Sequence, residues 1–227
     1  MLDQSPPEPG TSWWMATSGL SKPDASQARR WGEVHPETGG ETDEQLVAAL
    51  RRGDGAAAGR LYDRYAGSVT GMVYRLLGRE AELEDIVQEA FIYALYSIDK
   101  LREPTALKSW LLGIAVGKVR SHLRRRWRRR WLSFLPQHEL PEPDVPVSDP
   151  HADLVREVCS ILDLMPDEER IALVVHRIEG LPLHEAAAAC GMSLSTFKRR
   201  FAKAEQRFFT CARRHPGLSV WLQGGAA

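Results

Sequence analysis

With 227 residues, 43% of them hydrophobic, the chain has enough apolar side chains for one or two globular cores, which excludes a short peptide or a fibre. Its longest apolar runs, such as that around Ile171 to Val175, fall far short of the roughly 20 residues that span a bilayer, and Met1-Leu2-Asp3-Gln4 lacks the basic-then-apolar order of a secretory signal, so a cytoplasmic chain without membrane insertion is expected. Basic and acidic residues number 30 each and the net charge is zero, yet the signs are segregated along the chain.

No acid stands between Pro104 and His138, where Lys108, Lys118, Arg120 and the block from Arg124 to Arg130 fall. Just upstream, Glu80, Glu82, Glu84, Asp85 and Glu89 lie within ten residues. An acidic face and a basic face on one chain imply two different partners.

Residues 1–41 are rich in Pro, Gly, Ser, Thr and charge without hydrophobic periodicity, the composition of a disordered arm. Trp13, Trp14 and Trp31 within it are either incidental or a docking surface. Order begins at Thr42, whose spacing to Gln45 is that of a capping box, with Leu46, Val47 and Leu50 as the apolar face and Gly53 as the stop. A second helix runs from about Ala56 to Leu77 on Leu61, Tyr65, Val69, Met72, Val73 and Leu76, and Gly78 closes it. The third carries the cleanest helical period, Leu83, Ile86, Val87, Ala90, Phe91, Ala94, Leu95 and Ile98, with its acids in the first turns. After a loop from Asp99 to Pro104, Thr105 caps a fourth helix bearing Leu107, Trp110, Leu111, Ile114, Val119 and Leu123, which runs into the arginine block. Four helices on short connections with no period-2 pattern make an all-α unit.

Five prolines between Pro136 and Pro150, interspersed with acids, exclude helix or central strand and make residues 136–150 an extended linker. Beyond it, Leu154, Val155, Val158, Ile161, Leu162 and Met165 mark a fifth helix. Pro166 in a first turn followed by Asp167, Glu168 and Glu169 starts another, with Ile171, Val174, Val175 and Ile178 buried and Gly180 at its end. The segment Leu183 to Cys190, the break Gly191-Met192-Ser193 and a helix from Leu194 to about Arg213 form a helix-turn-helix. Alanines 186 to 189 let its first helix sit close to the second, Ser193 or Ser195 caps the second, and Phe197, Phe201 and Phe208 face the core. On the early turns of that second helix, Thr196, Lys198 and Arg199 suit base edges, and Arg200 and Lys203 suit phosphates. The same cations also fit a solvated face of an ordinary bundle.

The arginine block, with Trp127 and Trp131 interleaved, suits phosphate neutralisation and stacking of unpaired bases; a solvated helix end and a membrane-surface helix are its other readings. Cys159, Cys190 and Cys211 are widely spaced and read as buried thiols. His176 and His184 are separated by a glycine break and make no metal pair. No phosphate loop, Ser-His-Asp set or nucleophilic cysteine context appears, so neither an enzyme, a cofactor nor a metal is expected.

In this order the elements resemble the sigma-70 family, in its extracytoplasmic-function (ECF) group. Leu83-Glu84-Asp85-Ile86-Val87-Gln88-Glu89-Ala90-Phe91 is similar to the family's core-polymerase-binding helix, region 2.2. Leu107-Lys108-Ser109-Trp110-Leu111-Leu112-Gly113-Ile114-Ala115, leading to Ser121-His122-Leu123-Arg124-Arg125, resembles its promoter-melting and −10-reading segment. Leu164 to Arg170 and Gly191 to Arg200 resemble region 4, which reads the −35 element. Val116, Gly117 and Ser121 stand where the family often has Arg, Asn and Asp. Pro182, Leu183 and Ala186 likewise depart from its helix-turn-helix pattern.

The resemblance implies two small helical domains, region 2 over 42–135 and region 4 over 151–214, with a tail over 215–227. It further implies that Asp85, Gln88 and Glu89 meet core RNA polymerase. Asp99, Lys100, Lys108, Trp110, Lys118, Arg120 and Arg124 would meet the −10 element, with the loop at Asp99 holding a flipped base. Ser195, Thr196, Lys198, Arg199, Arg200 and Lys203 would meet the −35 element. An anti-sigma factor is implied as a further partner. The alternatives are a stand-alone helix-turn-helix regulator, which leaves the acidic helix and the basic melting segment without a role, and an RNA-binding or structural adaptor using the arginine block, whose binding would be salt-sensitive and indifferent to sequence.

Overall fold

The computed structural model describes residues 40–78, 80–132 and 150–214; the expected arm with its tryptophans, nearly all of the linker and the tail lie outside them. Among the described residues the chain is all-helical. Helices α1 (Asp43–Arg51), α2 (Gly55–Leu77), α3 (Leu83–Ser97) and α4 (Leu107–Leu132) form the first unit. Helices α5 (Pro150–Asp163), α6 (Asp167–Leu173), α7 (Leu183–Ala189) and α8 (Leu194–Ala212) form the second. Pro150, expected as the end of the linker, is instead the first residue of α5, a position that needs no backbone donor.

Local chemistry sets the helix boundaries. Thr42 Oγ1 accepts from the Gln45 amide at 3.3 Å while the Gln45 side chain accepts from the Thr42 amide at 3.0 Å, the reciprocal box that satisfies two orphan donors. Asp54 caps α2 through the Ala56 amide at 3.0 Å, and Gly78 ends it at φ 75°, a conformation that costs glycine nothing. Thr105 is not a cap: Pro104–Ala106 form a 3₁₀ turn led by the proline, which starts the helix one turn early, and Thr105 lies inside it. Pro166 is the residue before α6, with extended ψ of 137°, rather than part of its first turn. A π-helical turn, Val174–Ile178, prolongs α6 and rotates Ile178 out of its expected buried face, leaving it 37% exposed.

The apolar stripe of α2 is buried as its spacing predicts, with Leu61, Val69, Met72 and Val73 fully enclosed. It packs on α3 and α4. In the second unit α8 packs on α6 and α7, and Phe197 is fully buried while Phe201 and Phe208 pack from the side. The two units do not stand apart. α4 lies against α7, α2 lies against α5, and one apolar cluster continues from Leu46 of α1 to Ala204 of α8. Among the described residues no helix is long and apolar enough to cross a membrane.

Candidate nucleic-acid and protein interfaces

α3 turns Ile86, Val87, Ala90 and Phe91 into the core, which by a 3.6-residue period leaves Asp85, Gln88 and Glu89 on the outer side. Asp85 and Glu89 are exposed and Gln88 is half-buried, so the three form one acidic and polar face. Tyr93 and Tyr96 continue the outer side toward the C-terminus of α3, Tyr96 at 86% exposure. Asp99 and Lys100 follow in an exposed 3₁₀ turn, Ile98–Lys100, anchored by the Arg51 guanidinium on the Leu101 carbonyl.

The upstream acids divide between two tasks. Glu80 turns inward, where its carboxylate meets the His122 imidazole at 2.5 Å and the Arg126 guanidinium. Glu80, Glu82 and His122 have ligand-type atoms within 4.8 Å of one another, the closest approach to a metal donor set among the described residues, but Glu80 there already serves both basic groups.

Along α4 the cations expected at the −10 element each have a partner. Lys118 pairs with Glu89 at 3.2 Å and lies 5.4 Å above the Tyr93 ring, so the polymerase-type and DNA-type faces adjoin. Lys108 donates to the Glu179 carbonyl at 3.1 Å, across the boundary between units. Arg120 also crosses it, with its fork on both oxygens of Glu168 at 2.9 and 2.7 Å and its remaining amino group on the Cys190 carbonyl at 2.7 Å. Trp110 is half-buried against the core, and Arg124 is exposed with a hydrogen bond to Ser121 at 3.1 Å. Trp127 stands 68% exposed among Arg124, Arg125 and Arg128, an aromatic surface inside a cationic one.

On α8, Ser193 is the cap: its hydroxyl oxygen accepts from the Thr196 amide at 3.3 Å, and its hydroxyl contacts Ser195 at 3.2 Å and Thr196 at 2.9 Å. Lys198 and Arg199 are exposed on the first turns. Arg200 instead reaches Glu168 at 2.6 Å, while Lys203 and Arg207 face Glu169 at 3.8 and 2.8 Å. An open groove between α6 and α8 is thus lined by acids and bases together, with Pro166, Glu168, Glu169, Arg199, Arg200 and Lys203 on its walls.

Sequence reasoning missed the acids that balance these cations. Glu168 and Glu169 have the spacing of helix-start charges, and nothing local marks them as partners of residues 32 to 48 positions away. Glu179 was equally silent: its side chain is 7% exposed and accepts from Ser68 at 2.7 Å and Arg75 at 3.1 Å, and burial pushes its carboxyl above the ordinary range. The alanine run has a role beyond the helix-turn-helix. Ala186 and Ala187 are buried, but Ala189 packs against Gly113 of α4. Cys190 is buried as expected and its thiol is pushed up to about 11 by desolvation, whereas Cys159 and Cys211 are half-buried.

Comparison with known proteins places both units. Residues 61–129 match the family model for Sigma-70 region 2 and residues 156–208 that for Sigma-70, region 4, together more than half of the chain. The chain is 29% identical over 176 residues to the RNA polymerase sigma-H factor of Pseudomonas aeruginosa, covering 73% of this chain and 91% of that protein. It is 28% identical over 175 residues to the ECF RNA polymerase sigma-E factor of Escherichia coli strain K12, again covering 73% of this chain and 91% of the relative. In fold it is similar to CnrH, solved in complex with the cytosolic domain of CnrY, with a TM-score of 0.55 at 23% identity, covering 82% of this chain and all of that one. It is also similar to the sigma factor RpoE of Bartonella quintana, solved with the anti-sigma factor NepR, with a TM-score of 0.53 at 22% identity, covering 74% of this chain and 94% of that one. The acidic outer side of α3, the cationic α4 and the capped helix-turn-helix therefore stand on a chain that belongs to the sigma-70 family of RNA polymerase sigma factors, in its extracytoplasmic-function group.

Proposed function

We propose that α3 docks this sigma factor on core RNA polymerase through Asp85, Gln88 and Glu89, that α4 and the turn before it hold the −10 element, and that α8 reads the −35 element. The observation that carries this reading is the division of the exposed charge: Asp85 and Glu89 on α3, against Arg124, Arg125 and Arg128 on α4 and Lys198 and Arg199 on α8. Carboxylates on a protein-binding face steer a basic partner and repel DNA, and cations on α4 and α8 do the reverse. Asp99 and Lys100 flank a flipped base, Lys108, Trp110, Lys118, Arg120 and Arg124 follow the opened strand, Ser195, Thr196, Lys198 and Arg199 face base edges, and Arg200 and Lys203 face phosphates. Region 2 then spans about residues 42–135 and region 4 begins at Pro150. The chain makes and breaks no bond itself; it acts in the cytoplasm by lending promoter choice to the polymerase.

An anti-sigma factor is the further partner we assign, since RpoE of Bartonella quintana, a sigma factor of this fold, was solved with the anti-sigma factor NepR, and CnrH, also of this fold, was solved with the cytosolic domain of CnrY. A titration of fluorescent core polymerase with the wild-type chain and with an Asp85→Lys/Glu89→Lys double variant tests the reading. The variant is expected to bind core at least tenfold more weakly, about 1.4 kcal/mol or more. Equal affinity would remove α3 from the polymerase interface.

A further inference from the structure

We infer that Arg51, at the C-terminal end of α1, is the positioning residue of the loop that receives the flipped base, and that it sets which base is accepted by orienting the Leu101–Arg102 peptide. The inference rests on the reading that the loop from Asp99 to Pro104 holds an unpaired base of the −10 element. Arg51 reaches across 50 positions of sequence to a backbone atom, its guanidinium donating to the Leu101 carbonyl. Among the described residues no other donor takes that carbonyl.

The loop is pinned at both edges and extended between them. The 3₁₀ turns Ile98–Lys100 and Pro104–Ala106 are closed by the Leu101 N–H on the Ile98 carbonyl at 3.1 Å and by the Ala106 N–H on the Glu103 carbonyl at 3.0 Å. Ile98 and Leu101 bury their side chains. Between the turns the backbone is extended at Leu101 (φ −68°, ψ 109°) and at Glu103 (φ −114°, ψ 105°), a conformation with no internal hydrogen bond to hold it. Arg51 supplies the tether. A trans peptide unit is planar, so its carbonyl and its N–H point in opposite directions. With the Leu101 carbonyl turned to Arg51, the Arg102 N–H is aimed away from α1. Among the described residues nothing accepts from that N–H, and Asp99, Lys100, Arg102 and Glu103 around it are exposed. A fixed backbone donor of this kind accepts a base whose edge offers an acceptor and rejects one that offers a second donor.

The tether sets a position because α1 is itself held. Leu46 and Val47 are fully enclosed. At the opposite end of the helix the Asp43 carboxylate accepts from the Tyr65 hydroxyl at 2.7 Å and from the Arg64 guanidinium at 2.9 Å, both on α2. α1 also packs on both 3₁₀ turns. It is thus a strut, about 12 Å from Asp43 to Arg51 at 1.5 Å per residue, that fixes the loop relative to α2.

A pre-melted promoter fragment, taken from a start site found by run-off transcription, tests this. Holoenzyme affinity is measured with each of the four bases in turn at every unpaired position of the non-template −10 strand, and thermal melts check that each variant folds. The wild-type chain is expected to prefer one base at the position the loop holds. Arg51→Ala should reduce that preference by roughly threefold or more and leave core affinity unchanged. Arg51→Lys, whose ammonium donates to the same carbonyl, should keep most of it. Arg102→Pro deletes the N–H after a residue whose extended backbone suits a following proline, and should flatten the preference at the same position, whereas Arg102→Ala removes only the side chain and should not. A loss in Arg51→Ala shared equally by all four bases, with a salt slope shallower by about one, makes Arg51 a phosphate contact and overturns the proposal. An unchanged preference in Arg51→Ala and Arg102→Pro overturns it too. If Asp99→Ala and Lys100→Ala flatten the preference in that case, the loop still holds the base and the tether alone fails; if they also leave it intact, the reading of the loop fails with the proposal.

Discussion

Gly113 of α4 and Ala189 of α7 meet with no space for a further atom: a Cβ on Gly113 would lie 3.1 Å from Ala189 Cα and 3.3 Å from its carbonyl oxygen. Four residues along the same helix, Gly117 has nothing within 4 Å. The two glycines should therefore respond oppositely to added bulk. Gly113→Leu overpacks the boundary and is expected to cost about 1–3 kcal/mol, while Gly117→Ala gains up to about 1 kcal/mol of helix propensity. Urea midpoints of the two variants check this, and a shift of the same sign in both would contradict it.

Arg170 is the most enclosed cation at the boundary, 8% exposed, and donates to the Leu76 carbonyl at 2.9 Å, to Asp163 at 3.1 Å and to Asp167 at 3.0 Å. Arg170→Met keeps much of the volume and strands the Leu76 carbonyl. It is expected to lower stability by about 2–3 kcal/mol, read as a drop in thermal midpoint. Asp163→Asn, whose carboxylate is half exposed, should cost far less.

Burial raises the Glu179 carboxyl above its ordinary 4.5, with Ser68, Arg75 and Lys108 only partly opposing that shift. A raised acid binds its proton more readily folded than unfolded. Its stabilising contribution is therefore complete below about 4.5 and is lost as pH rises through the folded value. Relative to Glu179→Gln, the wild-type chain should gain stability as pH falls from 7 toward 4.5, which thermal melts of both proteins at matched pH would measure. A difference independent of pH would show that Glu179 ionises as freely in the fold as out of it.

Lys198 and Arg199 are exposed on the first turns of α8, and neither side chain reaches the acids that hold Arg200, Lys203 and Arg207. If both meet a promoter, replacing them with alanine should weaken holoenzyme binding and reduce the slope of log affinity against log salt by about two. Holoenzyme titrations of a promoter fragment across several salt concentrations give the slope directly, and an unchanged slope would place both residues off the DNA.

Helix identity was legible in the sequence because it is local. The Thr42–Gln45 box, the stripe from Leu61 to Leu76 and the Ser193 cap each depend on residues three or four apart, and each is present as its spacing implied. Thr105 was misread because Pro104 nucleates a 3₁₀ turn ahead of it, and Ile178 because a π turn breaks the 3.6-residue period. Of the candidate site, the acidic face of α3 was visible as a charge pattern. The partners of Lys108, Arg120 and Arg200 were not, since they come from 32 to 71 residues away and a carboxylate looks alike whether it faces water or an arginine. Val116 shows the same limit: nothing in its place beside Lys118 and Arg120 on a cationic helix marks it as core, and here it is fully buried.

The most direct measurement of the central claim is run-off transcription from genomic promoter fragments by purified core RNA polymerase, with and without this chain. Discrete transcripts are expected only when the chain is present, and they should be lost with Asp85→Lys/Glu89→Lys. Transcription from the same start sites without the chain, or undiminished transcription with the double variant, would contradict the account.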